Sequence, residues 1–274
     1  MPIRAVLWDV DDTLFDYTNC DRAAALEHLA AEELLARYRS ADAALGHWQE
    51  VMRECYSRFA AGELSFAAHR RERARAVARG PLTDTEADQW FGRYVERYEA
   101  RWALFPDVLP ALDTVARTRR QGVLSNSYAA NQDRKLRRLG IRDRFEVLVC
   151  SAELGCAKPE PEAFEAACLA LGLEPDEVAY VGDRLDIDAG AAAEAGLSGI
   201  WLDRYGSSRE PVPTGVRRIG TLAELPALLG ELDDDRRASE ALPDGFWART
   251  ASAEGVGPVE PSGITAGQPG SRLT

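Results

Sequence analysis

Asp9, Asp11 and Asp12 stand together at the end of the largely apolar run Ile3 to Val10. Three further polar clusters lie downstream: Ser125-Asn126-Ser127, Lys158-Pro159, and Gly182-Asp183 with Asp186 and Asp188. Each cluster follows a segment that reads as a β-strand. In an open parallel sheet the carboxyl ends of the strands form one crevice, so these distant residues should converge there. Charge then dictates what else the crevice needs. Two like unit charges about 4 Å apart repel by about 4 kcal/mol at an effective dielectric near 20. Asp9, Asp11, Asp183 and Asp188 would repel by several such terms, and Lys158 offsets one of them. A hard cation with oxygen ligands offsets more. Magnesium is typically held by one or two carboxylates with substrate phosphate and water, and it fits this set. The cluster holds no His or Cys, which disfavours zinc. Lysine occurs only twice in the chain, at Lys135 and Lys158, so chance placement of one in this constellation is improbable.

The elements that must position these residues are legible from pattern. Ile3 to Val10 is nearly continuous in apolar residues, as expected of a strand buried on both faces of a parallel sheet. From about Asp21 to Trp102, stretches rich in Ala, Leu, Arg and Glu predict four helices. Thr83-Asp84-Thr85-Glu86 reads as a capping box opening the last of them. On that helix Phe91, Tyr94, Val95, Tyr98 and Trp102 recur at helical spacing and form a packing face. After Pro106 short strands at Gly122 to Leu124, Phe145 to Cys150, Val178 to Val181 and Gly199 to Leu202 alternate with helices. That alternation implies βαβ units and a doubly wound parallel sheet. The expected organisation is an α/β core from residues 1–15 and 105–230, an inserted helical cap over 16–104, and a disordered tail over 231–274. Asp233-Asp234-Asp235 reads as a solvated run at the start of that tail.

Composition narrows the partners. The 274 residues are 46% hydrophobic and 28% charged, ordinary for a soluble globular protein. A net charge of −12 argues against a nucleic acid polymer, which is held by clustered Lys and Arg. No apolar run is long enough to span a bilayer, and the N-terminus offers no signal peptide. Five cysteines without a CxxC pair suit small buried hydrophobes in a reducing, cytoplasmic setting.

Asp9-Val10-Asp11-Asp12-Thr13, Ser125-Asn126, Lys158-Pro159 and Gly182-Asp183…Asp188 resemble the four ordered motifs of the haloacid dehalogenase superfamily. The inserted helices resemble that superfamily's all-helical cap, and the resemblance covers about residues 3 to 229. Within it, Trp8 to Phe15 and Ala157 to Phe164 look most like the branch of pyrimidine 5′-nucleotidases and N-acylneuraminate-9-phosphatases. Ser127 departs from the glycine that many members carry there. The resemblance implies Asp9 as nucleophile and Asp11 as general acid and base. It implies Ser125, Lys158 and the Asn126 amide as the binders of a transferring phosphoryl group. Asp9, Asp183 and the carbonyl of Asp11 are the implied magnesium ligands, with Asp188 in support. The expected activity is hydrolysis of a small phosphomonoester, a nucleoside 5′-monophosphate or a sugar phosphate.

The chemistry agrees with these roles. Phosphate esters hydrolyse extremely slowly unaided, so a site must supply positioning and positive charge. A carboxylate nucleophile divides the reaction through an aspartyl phosphate. A second carboxylate protonates the leaving alkoxide and then activates water. A 2-haloacid dehalogenase has no use for Asp11, since halide leaves without a proton. A phosphonatase using a cap lysine is disfavoured because the cap has none. A sugar phosphomutase shares the intermediate and stays open, and a catalytically silent binding protein would be expected to lose Asp9, Asp11 or Lys158. Blander roles suit the remainder. Lys135 reads as solvated helix surface and Thr13 as a backbone-capping hydroxyl, while Asp12 and Asp186 are left unassigned. His28, His47 and His69 fall in the cap, away from the motifs.

Overall fold

A computed structural model describes residues 2–206 and 211–240. Six strands form one parallel sheet: β1 (Ala5–Trp8), β2 (Arg120–Ser125), β3 (Val147–Cys150), β4 (Val178–Gly182), β5 (Ser198–Leu202) and β6 (Val216–Ile219). Their order across the sheet is β3-β2-β1-β4-β5-β6. The chain therefore winds outward from β1 in one direction, returns, and winds outward in the other. The reversal lies between β1 and β4, which is where an open α/β sheet leaves its crevice.

Strand β1 is buried along its whole length, and its side chains divide between two cores. Val6 and Trp8 pack with Val123, Val181, Leu136 and Leu225 on one face. Leu7 packs with Leu124, Tyr180 and Phe164 on the other. Two-sided burial explains why β1 reads as a continuous apolar run.

Five α-helices stand between β1 and β2, and the first four are α1 (Tyr17–Ala31), α2 (Ala41–Ala60), α3 (Phe66–Val77) and α4 (Asp84–Ala100). Three begin where the sequence supplies a cap. Ser40 and Ser65 each accept from a backbone N–H three residues on, and Thr83 and Glu86 form the reciprocal box. These helices bury a core of their own around Leu29, Trp48, Trp90, Phe91 and Tyr94. The predicted stripe on α4 divides. Phe91 and Tyr94 fill this helical core, whereas Tyr98 and Trp102 pack at 6.1 and 6.0 Å against the ring of Phe15 beside the sheet.

The remaining helices are α5 (Val108–Val115), α6 (Ala129–Arg138), α7 (Ser151–Leu154), α8 (Pro161–Leu171), α9 (Gly190–Glu194) and α10 (Leu225–Glu240). Two features differ from expectation. Strand β6 was not anticipated, because the sequence Val-Arg-Arg-Ile buries only its two ends and has no alternating pattern. Residues 231–240, expected to open the tail, instead continue α10 to Glu240. Asp233, expected to be solvated, accepts from the Ile3 amide at 2.7 Å and pairs with Arg119 at 2.8 Å. The rest of that predicted tail, residues 241–274, lies outside the described residues.

Candidate active site

Trp8 lies level with Val123 of β2 and Val181 of β4, so three strand ends open together. Asp9 follows β1, Ser125 ends β2, and Asp183 follows β4. Lys158 arrives from the loop before α8 and is almost fully buried. Its ammonium donates to Asp9 Oδ1 at 2.8 Å, Asp188 Oδ1 at 2.6 Å and the Tyr180 hydroxyl at 2.6 Å. All three donors of the group are thereby engaged. Burial pulls the Lys158 pKa down, but the Asp9 and Asp188 carboxylates outweigh it and hold the ammonium charged.

The loop carrying Lys158 is fixed by Asn126. Its amide nitrogen donates to the Lys158 carbonyl at 2.8 Å, and its amide oxygen accepts from the Lys158 N–H at 2.9 Å. The asparagine side chain thus clamps one motif to another.

Asp188 sits in a turn of π-helix ahead of α9, with Oδ2 accepting from the Arg184 amide at 3.1 Å. Gly182 makes room for it, because a Cβ there would lie 2.5 Å from the Asp188 side chain. The Asp183 carbonyl is held by the indole N–H of Trp201 at 3.0 Å.

Oxygens of Asp9, Asp183 and Asp188 lie within 4.8 Å of one another. Burial lifts the Asp9 carboxyl to about 7, against the pull of Lys158 and helped by Asp188 and Asp11. Burial lifts Asp183 to about 8, with repulsion from Asp9 and Asp188 adding to it. One ammonium does not neutralise this group, and the donors are all hard oxygens. The set therefore fits a divalent cation of the magnesium type.

Asp11 points to a different set of partners. Its Oδ1 accepts from the Lys135 ammonium, which also lies 4.6 Å from the centre of the Phe15 ring. Its Oδ2 accepts from Gln132 Nε2 at 3.1 Å, and the same nitrogen reaches Ser125 Oγ at 3.0 Å. Lys135 is thus buried in the site and not on the solvated surface that its Arg-rich helix suggested. The signal was present, because Gln132 and Lys135 are one helical turn apart and share a face of α6.

The unassigned acids have local roles. Asp12 adopts a positive φ of 60° and accepts from the amide and hydroxyl of Thr18, at 2.8 and 2.6 Å, at the start of α1. Asp186 is exposed and pairs with Arg184 at 2.8 Å. Thr13 is fully buried, yet its hydroxyl caps nothing among the described residues. His28 is fully buried against Trp90 and His47 bonds Tyr38 at 2.7 Å. His69 stacks on Phe59. All five cysteines are free. No described helix is long and apolar enough to cross a membrane.

The sequence pattern of the haloacid dehalogenase-like hydrolases matches residues 3–196. The chain belongs to this family. A phosphoserine phosphatase of Thermus thermophilus is 33% identical to this hydrolase over 208 residues, 74% of this chain and 76% of that protein. An N-acylneuraminate-9-phosphatase of Homo sapiens is 25% identical over 238 residues, 84% and 95% of the two chains. A pyrimidine 5′-nucleotidase of Escherichia coli is 34% identical over 125 residues, 45% of this chain and 54% of its own. Both subgroups suggested by the sequence are therefore among the relatives. Among solved structures, the magnesium-bound hydrolase YfnB from Bacillus subtilis superposes with a TM-score of 0.67 at 18% identity, covering 84% of this chain and 99% of that one. A 2-haloacid dehalogenase from Pseudomonas syringae superposes with a TM-score of 0.61 at 27% identity, covering 84% and 99%. The expected fold, a doubly wound parallel sheet with helical additions, is the fold of these neighbours.

Proposed function

We propose that this hydrolase is a magnesium-dependent phosphatase of a small phosphomonoester, of nucleoside 5′-monophosphate or sugar phosphate type, acting through an aspartyl phosphate on Asp9. The observation that carries this reading is the Gln132 amide, which bridges Asp11 Oδ2 and Ser125 Oγ. A carboxyl able to give and take a proton thereby borders the hydroxyl that would receive a phosphoryl group. An alkoxide leaving group needs that proton and a halide does not, so the same bridge disfavours the dehalogenase reading.

In this scheme the Asp9 carboxylate attacks phosphorus while Asp11 protonates the departing oxygen. Lys158, the Ser125 hydroxyl and the backbone amide of Asn126 hold the phosphoryl oxygens. Asp11, now a carboxylate, takes a proton from water as that water attacks the acyl phosphate and frees Asp9. Asp9, Asp183 and the carbonyl of Asp11 are the proposed magnesium ligands, with Asp188 in support. A bound magnesium ion supplies positive charge that offsets the crowded carboxylates and the phosphate. Residues 16–104 are the proposed cap, whose helices border the opening and suit a small substrate over a phosphoprotein.

The test is a screen of the purified protein with magnesium against phosphometabolites and 2-haloacids, reading phosphate and halide release. Phosphate from at least one small ester, with no halide, is expected. Halide release, or no phosphate from any ester, would overturn the reading.

A further inference from the structure

Helix α3 carries arginines of two kinds. Arg71 pairs with Asp84 and Asp88, each at 2.6 Å, and Arg75 pairs with Glu72 and Asp84. Elsewhere in the cap Arg93 pairs with Glu32 and Arg101 with Glu27. Arg70 and Arg73 differ. Neither has a carboxylate partner among the described residues, although the chain carries 45 acidic side chains against 33 basic ones.

Both instead line a cavity of about 320 Å³ that also touches Ser127, Lys135, Phe91 and Trp102. Lys135 is the residue on Asp11, and Ser127 follows the Ser125-Asn126 pair, so this cavity abuts the catalytic opening. The guanidinium of Arg70 lies 4.6 Å from the centre of the Phe91 ring, and that of Arg73 lies 4.9 Å from the same ring. Two cations therefore share one aromatic wall. Arg73 Nη2 is buried and finds no hydrogen-bond partner among the described residues. A buried donor on a charged group costs stability when unmatched, which makes an incoming acceptor favourable. Burial and then the neighbouring charge of Arg73 disfavour the charged Arg70, with Asp88 and Glu99 only partly offsetting them, so an anion between the two arginines would relieve repulsion. Arg134 is already engaged with Glu99 at 2.6 Å.

We propose that Arg70 and Arg73 form a carboxylate-binding subsite, so that the preferred substrate is a phosphomonoester carrying a carboxylate. The planar fork of a guanidinium matches a carboxylate through two parallel hydrogen bonds, and aromatic walls exclude the water that would compete. This rests on the phosphatase reading and narrows it. Acidic sugar phosphates and phosphorylated hydroxy acids fit, and nucleoside monophosphates do not.

Matched pairs of esters test it: 2-phosphoglycolate against 2-hydroxyethyl phosphate, and 3-phosphoglycerate against glycerol 3-phosphate, each with magnesium. The wild type should favour the acid member in kcat/KM by about tenfold or more, the scale of a hydrogen bond to a charged group. That ratio should collapse in Arg73→Gln and in Arg70→Gln. A ratio within each variant cancels any loss of folded protein, and Arg70→Gln serves alone if Arg73→Gln does not fold. A smaller preference in the wild type, or one that survives in both variants, overturns the subsite. p-Nitrophenyl phosphate separates the two claims. Its hydrolysis without a carboxylate preference leaves the phosphatase reading standing, and its inertness with every ester removes both.

Discussion

Lys135 and Asp11 form an ion pair across the mouth of the site, with the lysine side chain 10% exposed and the aspartate 39% exposed. Helix α6 thus fixes the direction of a carboxylate that belongs to the loop after β1. Replacing Lys135 with Met keeps the stem and removes the charge. The lysine end is buried, but the aspartate is partly exposed and keeps its hydration when the ammonium is removed, so stability should change by about 1 kcal/mol. Misdirecting a catalytic group costs far more, so kcat for an alkyl phosphate should fall about tenfold to hundredfold. Thermal melts and initial rates together check this. A large fall in melting temperature with an unchanged kcat would mean that Lys135 serves the fold alone.

The companion variant is Asp11→Asn, which removes the proposed proton donor and base. General acid–base assistance contributes about 10²- to 10⁴-fold, and the rate should fall within that range. p-Nitrophenyl phosphate has a good leaving group and needs little protonation, so its first step should suffer less than that of an alkyl ester. Pre-steady-state rates with the two esters measure the difference. Equal losses on both would contradict a proton-donating role.

How much of this was legible beforehand depended on whether the signal was local. Strand β1 and the helix start at Thr83 rest on periodicity and capping, which neighbouring residues encode. The convergence of Asp9, Ser125, Lys158 and Asp183 followed from topology, because strand ends of a parallel sheet meet. The partners of Asp11 did not follow. Whether Lys135 meets water or a carboxylate depends on how α6 lies over the sheet, and its Arg-rich surroundings argued for water. Asp233 misled for a related reason, since a run of aspartates looks solvated until Arg119 and the Ile3 amide are placed beside it. The fully buried Thr13 hydroxyl has no structural explanation among the described contacts.

Metal binding should be visible without turnover. Asp9 and Asp183 have raised pKa values in the folded protein, near 7 and 8, against an ordinary value of 3.8. Their contribution to stability is therefore present below about pH 4 and is lost as pH rises toward 8. Magnesium needs both groups ionised and offsets their repulsion. Its stabilising shift in melting temperature should accordingly be larger at pH 8 than at pH 5, and chelator should reverse it. A shift independent of pH, or none at all, would count against these ligands.

The C-terminal boundary is also open to test. A chain ending at Gly230 loses Leu232, which packs on the core, and Asp233 with its two hydrogen bonds. Hydrogen bonds involving charged groups contribute about 1.5–3 kcal/mol each, so its melting temperature should drop by several degrees. A chain ending at Glu240 keeps those contacts and should melt above the shorter one. Neither truncation removes a site residue, so kcat of the folded fraction should hold in both. A tenfold loss of specific activity in folded protein would show that this segment reaches the site.

The most direct measurement of the central claim is a rapid-quench experiment with a phosphate-labelled ester and magnesium, followed by peptide mapping. Label is expected on Asp9 within the first turnover, with slow release in Asp11→Asn and neither label nor turnover in Asp9→Asn. Label on any other residue, or an active Asp9→Asn enzyme, would contradict the claim.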